Sequence, residues 1–414
     1  MRSLFAAFSA FVFLLAVLSG CLGSSDSKLS IDEANVEILV NGAQNGIANA
    51  GEFANFSVIS DMQNATLTLP PGFLVIQDGK LQSESNISLT SPEFNFKALV
   101  PPTGREFNFT VTDGERSKII TIQTANGTAP LISGKNIYDM VDSVTDVFLL
   151  RITGSPTLEA YKLWLKLTLE SYGLETQITP VESGDGRTLL NVVAYHWGAS
   201  KTDWIVIGGH ADTAFEITVE GAYDNTAGTA TVLELARILS QYKFDKTIVF
   251  GLWGGEEEGL FGSQFFTDNI PADVNVSAYL NFDMVGINWP GPFALHEFMA
   301  CKNGVAVKEQ VKFGKLVTHE ICGFPENNKS FAIKKDTLGR SDHENFAALG
   351  IPSFMFIGEL DNYPYYHTPD DTFANMIKYM GSEEKLVQGF AVPAWIGFYE
   401  TILLQNGYSL APAK

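Results

Sequence analysis

Six side chains able to hold a metal or move a proton stand close to apolar runs in this sequence. His210 follows WIVIGG, Asp224 lies in GAYDNTAGT at 221–229, and Glu256 and Glu257 follow TIVFGLW. Asp283 ends AYLNFD and His367 sits in YYHTPDDT. Residues just after strands or just before helices collect on one rim of an open α/β sheet, where such sheets build their sites. Two imidazoles among carboxylates form a mixed nitrogen and oxygen donor set. That set suits zinc, and also cobalt or manganese, whereas calcium and magnesium prefer all-oxygen shells. Charge points the same way. Two Zn²⁺ bring four positive charges, against one negative charge each from Asp224, Glu257 and Asp283 and one from a bridging hydroxide. The sum is neutral, as a poorly solvated pocket requires.

The elements that must present these residues alternate between strand and helix from about Leu131 onward. Residues 136–152 and 158–172 carry apolar residues at helical spacing, separated by the breaker Gly154-Ser155-Pro156. Residues 189–194, 204–207, 247–253, 278–282 and 353–357 read as strands, and 226–242, 305–321 and 384–404 as helices. Such alternation predicts an α/β fold with a mixed, largely parallel sheet and helices on both faces. The preceding stretch differs. Runs such as VEILV, FSVIS, ATLTLP, FNFKALV, FNFTVT and KIITIQT are separated by turn residues, without a histidine or cysteine among them. This predicts a small all-β, sandwich-like domain over 31–126, a linker at 126–130 and the α/β domain over 131–414.

With these elements in place, six motifs resemble the co-catalytic zinc aminopeptidases, family 28 of the metallopeptidases. They are HAD at 210–212, AYDNTAG at 222–228, EEEGLFGS at 256–263, NFDM at 281–284, RSDHENF at 340–346 and YHTPDDT at 366–372. The resemblance covers roughly Leu131 to the end. It implies two Zn²⁺ per chain: one held by His210 and Asp283, the other by Glu257 and His367, with Asp224 bridging both. It implies that Glu256 is the general base, that Asp212 orients His210, and that the Asp224–Asn225 peptide is cis. Tyr366 matches a tyrosine that donates to the tetrahedral oxyanion in some members, with a packing role as the alternative. Arg340 matches an arginine that touches substrate in some relatives, with a structural salt bridge as the alternative. Asp342 and His343 read as scaffold rather than ligands, and His196, His296 and His319 have no ligand context.

The activity this implies is hydrolysis of the N-terminal bond of peptides. On the same fold, a carboxypeptidase or amidohydrolase, a glutaminyl cyclase and, more remotely, a non-catalytic receptor-like member are the alternatives. A serine hydrolase is a poor fit, since no Gly-x-Ser-x-Gly elbow is present and Ser341, Asp342 and His343 are consecutive. A nucleotide-binding loop is also missing.

Bulk properties frame the rest. The net charge of −20 argues against nucleic acid as a partner. Residues 1–21 combine Arg2, an apolar run over 4–18 and Leu18-Ser19-Gly20-Cys21, which reads as a signal peptide with a lipobox. Cys21 would then carry a lipid, residues 22–30 would form a tether, and the protein would be exported and membrane-anchored at the cell surface. Sequons at Asn55, Asn64, Asn86, Asn108, Asn126, Asn275 and Asn328 fit a glycosylated outward face. Only Cys301 and Cys322 remain after Cys21. In an exported protein such a pair often forms a disulfide, and two buried thiols are the alternative.

Overall fold

The computed structural model describes residues 34–410, apart from 41–42, 45–46, 50–52, 71–72, 78–79, 83–85, 101–105, 126–131, 183–187, 215–218, 303, 406 and 409. The leader over 1–21, the tether over 22–30, the linker over 126–130 and the Asn126 sequon lie outside these residues.

Two sheets fill the N-terminal part. The first contains β1 (Val36–Val40), β2 (Ala43–Gln44), β4 (Phe53–Ser60), β6 (Leu74–Gln77), β7 (Lys80–Gln82) and β9 (Glu93–Leu99), in the order β2-β1-β4-β9-β6-β7. The second contains β3 (Ala48–Asn49), β5 (Thr66–Thr68), β8 (Asn86–Ser88), β10 (Glu106–Thr112) and β11 (Ser117–Ala125), in the order β3-β11-β10-β5-β8. Alternate residues of these strands point inward and pack Phe56, Phe73, Phe96 and Phe109 together. Asn55, Asn64, Asn86, Asn108, Asn275 and Asn328 are all exposed.

The α/β part begins with α1 (Gly134–Val147) and α2 (Pro156–Ser171). Each is started by a serine, Ser133 or Ser155, whose hydroxyl accepts an amide of the first turn, and Pro156 occupies the first helical position of α2. One sheet follows, built of β12 (Glu175–Glu182), β13 (Thr188–His196), β14 (Ser200–His210), β15 (Lys246–Trp253), β16 (Asn275–Phe282), β17 (Leu295–Ala300), β18 (Phe331–Lys335) and β19 (Ser353–Ile357). Its order is β12-β13-β15-β14-β16-β19-β17-β18. The four central strands, β15, β14, β16 and β19, are mutually parallel, and the register pairs His210 with Trp253 and Gly208 with Asn281. The carboxyl ends of these strands are therefore nearly level, and the loops leaving them share one rim.

Both faces of the sheet are covered. On β14, Ile205 and Ile207 join the core formed with α1, α2, α3 (Ala227–Leu239) and α8 (Glu383–Gln405). Trp204 and Val206 point the other way, toward Phe266 of α4 (Phe261–Asp268) and Phe346 of α6 (His343–Ala348). This alternation on two covered faces explains why the central strands read as continuous apolar runs. The remaining helices are α5 (Gly304–Lys315) and α7 (Phe373–Met380). α8 is long and apolar enough to cross a membrane, yet it is largely buried inside the fold. An all-round apolar helix is what a core position demands.

Three strands of this eight-stranded sheet escape the sequence reading: β12, β17 and β18. β12 and β18 are the two edges of the sheet. Edge strands carry polar residues, here Glu175, Gln177, Lys334 and Lys335, and tolerate Pro180, which blurs the apolar signature. The predicted helix over 305–321 ends instead in a wider turn over Leu316–Ile321. Cys301 and Cys322 are free thiols, and the Cys301 thiol donates to the carbonyl of Gly350 at 3.3 Å.

Candidate metal centre

His210 is the last residue of β14, and its ring is almost fully buried. Its Nδ1 lies 3.1 Å from the backbone oxygen of Asp212, which turns Nε2 toward the rim. There Nε2 sits 3.2 Å from Oδ1 of Asp224 and 3.4 Å from Oδ1 of Asp283, the residue that follows β16. On the other side, Nε2 of His367 lies 3.1 Å from Oδ2 of Asp224 and 3.0 Å from Oε2 of Glu257. The rings of Tyr366 and His367 stack at 3.7 Å. Asp224 thus turns one oxygen to each histidine, and the five side chains resolve into two groups that share it.

Asp224 owes its place to an irregular turn, Ala222–Thr226, between β14 and α3. Its peptide bond to Asn225 is cis, and both residues depart from helical angles. Asp371, just after His367 in the chain, accepts the amides of Tyr223 at 3.1 Å and Asp224 at 3.0 Å, and the Tyr363 hydroxyl at 2.8 Å. The Asn225 side chain donates to Phe282 O at 2.9 Å and accepts from Gly228 N and Met284 N, tying this turn to the end of β16. Gly228 permits the approach, since a Cβ there would stand 2.2 Å from Phe282 O. Asp371 and Asn225 stand inside recognised motifs, but only the fold shows what they hold.

Asp212 differs from its expected role. Its carboxylate is 3.9 Å from Nδ1 of His210, and only its backbone oxygen meets that ring. The carboxylate instead accepts the amides of Gly255 at 3.0 Å, Glu256 at 3.3 Å and Glu257 at 3.3 Å. One buried anion therefore fixes the turn that aims both glutamates. Asp212→Asn keeps one acceptor oxygen and is expected to destabilise the fold by about 1–3 kcal/mol. It is also expected to weaken metal binding roughly 10–100-fold, as loss of a ligand's supporting partner does. Denaturant melts and chelator titration of the same protein check both effects.

Electrostatics at the rim are set by crowded acids. Burial raises the Asp224 carboxyl, but hydrogen bonds from His210 and His367 outweigh it and hold the group well below the carboxylate range. Burial, followed by the charge of Asp224, pushes Glu257 up to about 8. Burial also lifts Glu256 well above its usual range. The His210 charge opposes this shift, and Asp283, Asp342 and Glu257 add to it. Burial pulls His367 down, but Asp224 and Glu257 raise it to about 10. A dication between these groups would reverse the upward shifts of Glu256 and Glu257, because its own charge dominates the local field.

The donor set fits zinc. Oε1 of Glu257 is buried without a hydrogen-bond partner. The donor separations of 3.0–3.4 Å also match the corner-to-corner spacing of a tetrahedron. With bonds of about 2.0–2.1 Å, that spacing is about 3.3 Å.

Comparison with known proteins decides the family. Residues 191–384 match the profile of peptidase family M28. The chain carries an M28 peptidase domain. Leupeptin-inactivating enzyme 1 of Streptomyces exfoliatus is 32% identical to it over 193 residues, 46% of this chain and 40% of that protein. The chain thus spans less than half of that relative's length. Among solved structures, a zinc aminopeptidase from Bacillus subtilis superposes with a TM-score of 0.52 at 16% identity, over 65% of this chain and 95% of that one. A glutaminyl cyclase from Porphyromonas gingivalis gives 0.51 at 22%, over 65% and 99%. These structural likenesses show a shared fold. All the donor residues lie within the matched segment of the M28 domain.

The remaining expected residues are placed as follows. Glu256 stands with His210 and Glu257 in one cluster of donor atoms. Tyr366 is 41% exposed, with its ring stacked on that of His367. Burial of its ring, then the charges of Asp224, Glu257, Asp283 and Glu256, raise its pKa, so it keeps its proton. Arg340 is exposed and makes no ion pair among the described residues. Asp342 is fully buried, and burial pushes its carboxyl up to about 7. Next to it, Ser341 accepts from Asn281 at 2.7 Å. His343 pairs with Asp336 at 3.0 Å.

Proposed function

We propose that this protein is an exported aminopeptidase that works with two zinc ions. The observation that carries the reading is the sharing of Asp224, whose two oxygens face two separate imidazole–carboxylate groups. His210 and Asp283 would hold one zinc and Glu257 and His367 the other, with Asp224 common to both. When bound, zinc supplies Lewis acidity toward a carbonyl and lowers the pKa of water to about 7.

The chain's own residues complete the reaction. Glu256 takes the proton of the attacking water and delivers it to the departing amine. Tyr366, protonated and partly exposed, donates to the oxyanion that forms on the scissile carbonyl. Export and anchoring through a lipid on Cys21 rest on the leader sequence alone, and glycosylation rests on the exposed sequons.

The decisive assay compares a peptide bearing a free amino terminus with its N-acetylated twin, alongside zinc content. The expected result is two zincs per chain and release of the first residue from the free peptide only. Cleavage of both peptides, or release from the carboxyl end, would move the activity to an amidohydrolase or carboxypeptidase. One zinc, with loss of ammonia from an N-terminal glutamine, would make the protein a cyclase.

A further inference from the structure

Arg151 is fully buried, lies between α1 and α2, and stands ahead of the segment that matches the M28 profile. Its Nη1 donates to Phe148 O and Glu220 O, both at 2.8 Å. Its Nη2 donates to Gly221 O at 3.2 Å and to the Thr226 hydroxyl at 2.6 Å, and that hydroxyl donates to Gly221 O at 2.7 Å. The guanidinium therefore grips both ends of the turn that carries Asp224. Around it, the backbone is stitched further: Leu150 N donates to Val219 O at 2.8 Å and Thr213 N to Arg151 O at 3.1 Å. The face of Tyr161 covers the guanidinium carbon at 5.2 Å.

The turn has no slack to hold itself. Gly221 has a φ of +53°, and a Cβ there would stand 2.3 Å from Thr213 and 2.7 Å from Asp224 O. A planar fork that donates to several carbonyls at once is a task for arginine, and lysine cannot reproduce it. The guanidinium also lies within electrostatic reach of Asp371, Asp212 and Asp224, three buried acids under the rim.

We infer that Arg151 is a positioning residue for the metal centre: it locks the Gly221–Thr226 turn so that Asp224 presents one oxygen to each histidine, and it supplies buried positive charge beneath the acids. The inference rests on the reading of Asp224 as the shared ligand. It gives the segment ahead of the matched domain a direct part in the site.

The test measures zinc affinity of folded protein by competition with a chromophoric chelator, together with turnover at rising free zinc. Arg151→Met is expected to bind zinc about 10–100-fold more weakly. Its turnover should recover substantially when free zinc is raised, with KM for the peptide little changed. A purely structural role would lower the melting temperature and leave the zinc affinity of the folded fraction unchanged. Folded Arg151→Met that binds zinc within about threefold of the parent, well short of the usual loss, would overturn the inference. Thr226→Val removes one acceptor of the guanidinium, and Thr226→Ser keeps the hydroxyl. The valine variant is expected to lose zinc affinity and the serine variant to retain it. If Arg151→Met does not fold, equal affinity of these two variants refutes the clamp. Asp224→Asn separates the two readings: parent-like zinc binding in that variant would sink the metal-centre assignment itself.

Discussion

Glu256→Gln should lower kcat by about 10²–10⁴ while leaving zinc content and melting temperature close to the parent's. The substitution removes only the proton-accepting oxygen. The backbone amide of residue 256 still bonds to Asp212, so the turn that aims Glu257 keeps its shape. The five proposed ligands are untouched. KM for the free peptide should stay within a few-fold, because a proton-transfer group acts mainly in the transition state. Steady-state kinetics with metal analysis on the same sample decides the matter. Exposed Glu258→Gln, two residues on, serves as control and should behave as the parent. A Glu256→Gln protein turning over at near-parental rate would remove Glu256 from the mechanism.

Asp224→Asn is expected to abolish loading of both metals, whereas Asp283→Asn or His367→Ala should each spare one. The asymmetry follows from geometry: Asp224 contacts the His210 group through one oxygen and the His367 group through the other. An amide has one oxygen and no charge, so it can serve at most one side and leaves the centre underneutralised. Metal analysis after dialysis gives the count. Thermal melts with added zinc give the energetics, since binding at a free concentration 100 times Kd stabilises the native state by about 2.7 kcal/mol. The parent should show this upward shift and Asp224→Asn almost none, with activity at the level of the chelator-treated parent. Two zincs retained in Asp224→Asn would show that the two groups do not depend on a shared carboxylate.

Much of this site is legible from residue types and local spacing. A proposed ligand at a strand end, such as His210 after WIVIGG or Asp283 after AYLNF, needs only a short apolar run followed by a polar residue. The same locality made the central strands and the longer helices readable, and it separated the β-rich N-terminal stretch from the α/β part. What the chain order could not show were the partners. Arg151 meets Thr226 from 75 residues away, and Asp371 meets Tyr223 and Asp224 from 148 and 147 residues away. No periodicity carries such information, because it depends on which strands become neighbours and in what register.

Asp212 shows the division most clearly. Its place in HAD marked it as a supporting acid, and its burial agrees. Which groups it supports was decided by the parallel pairing of β14 with β15, which brings the residues after His210 beside Gly255, Glu256 and Glu257. The sequence by itself thus determined the kinds of atoms available for chemistry and the strands that deliver them, because both are written in nearest-neighbour patterns. Only the tertiary structure decided how those atoms are shared, oriented and neutralised. Those properties belong to contacts between segments far apart in the chain, made where water is excluded and every buried charge must find its partner.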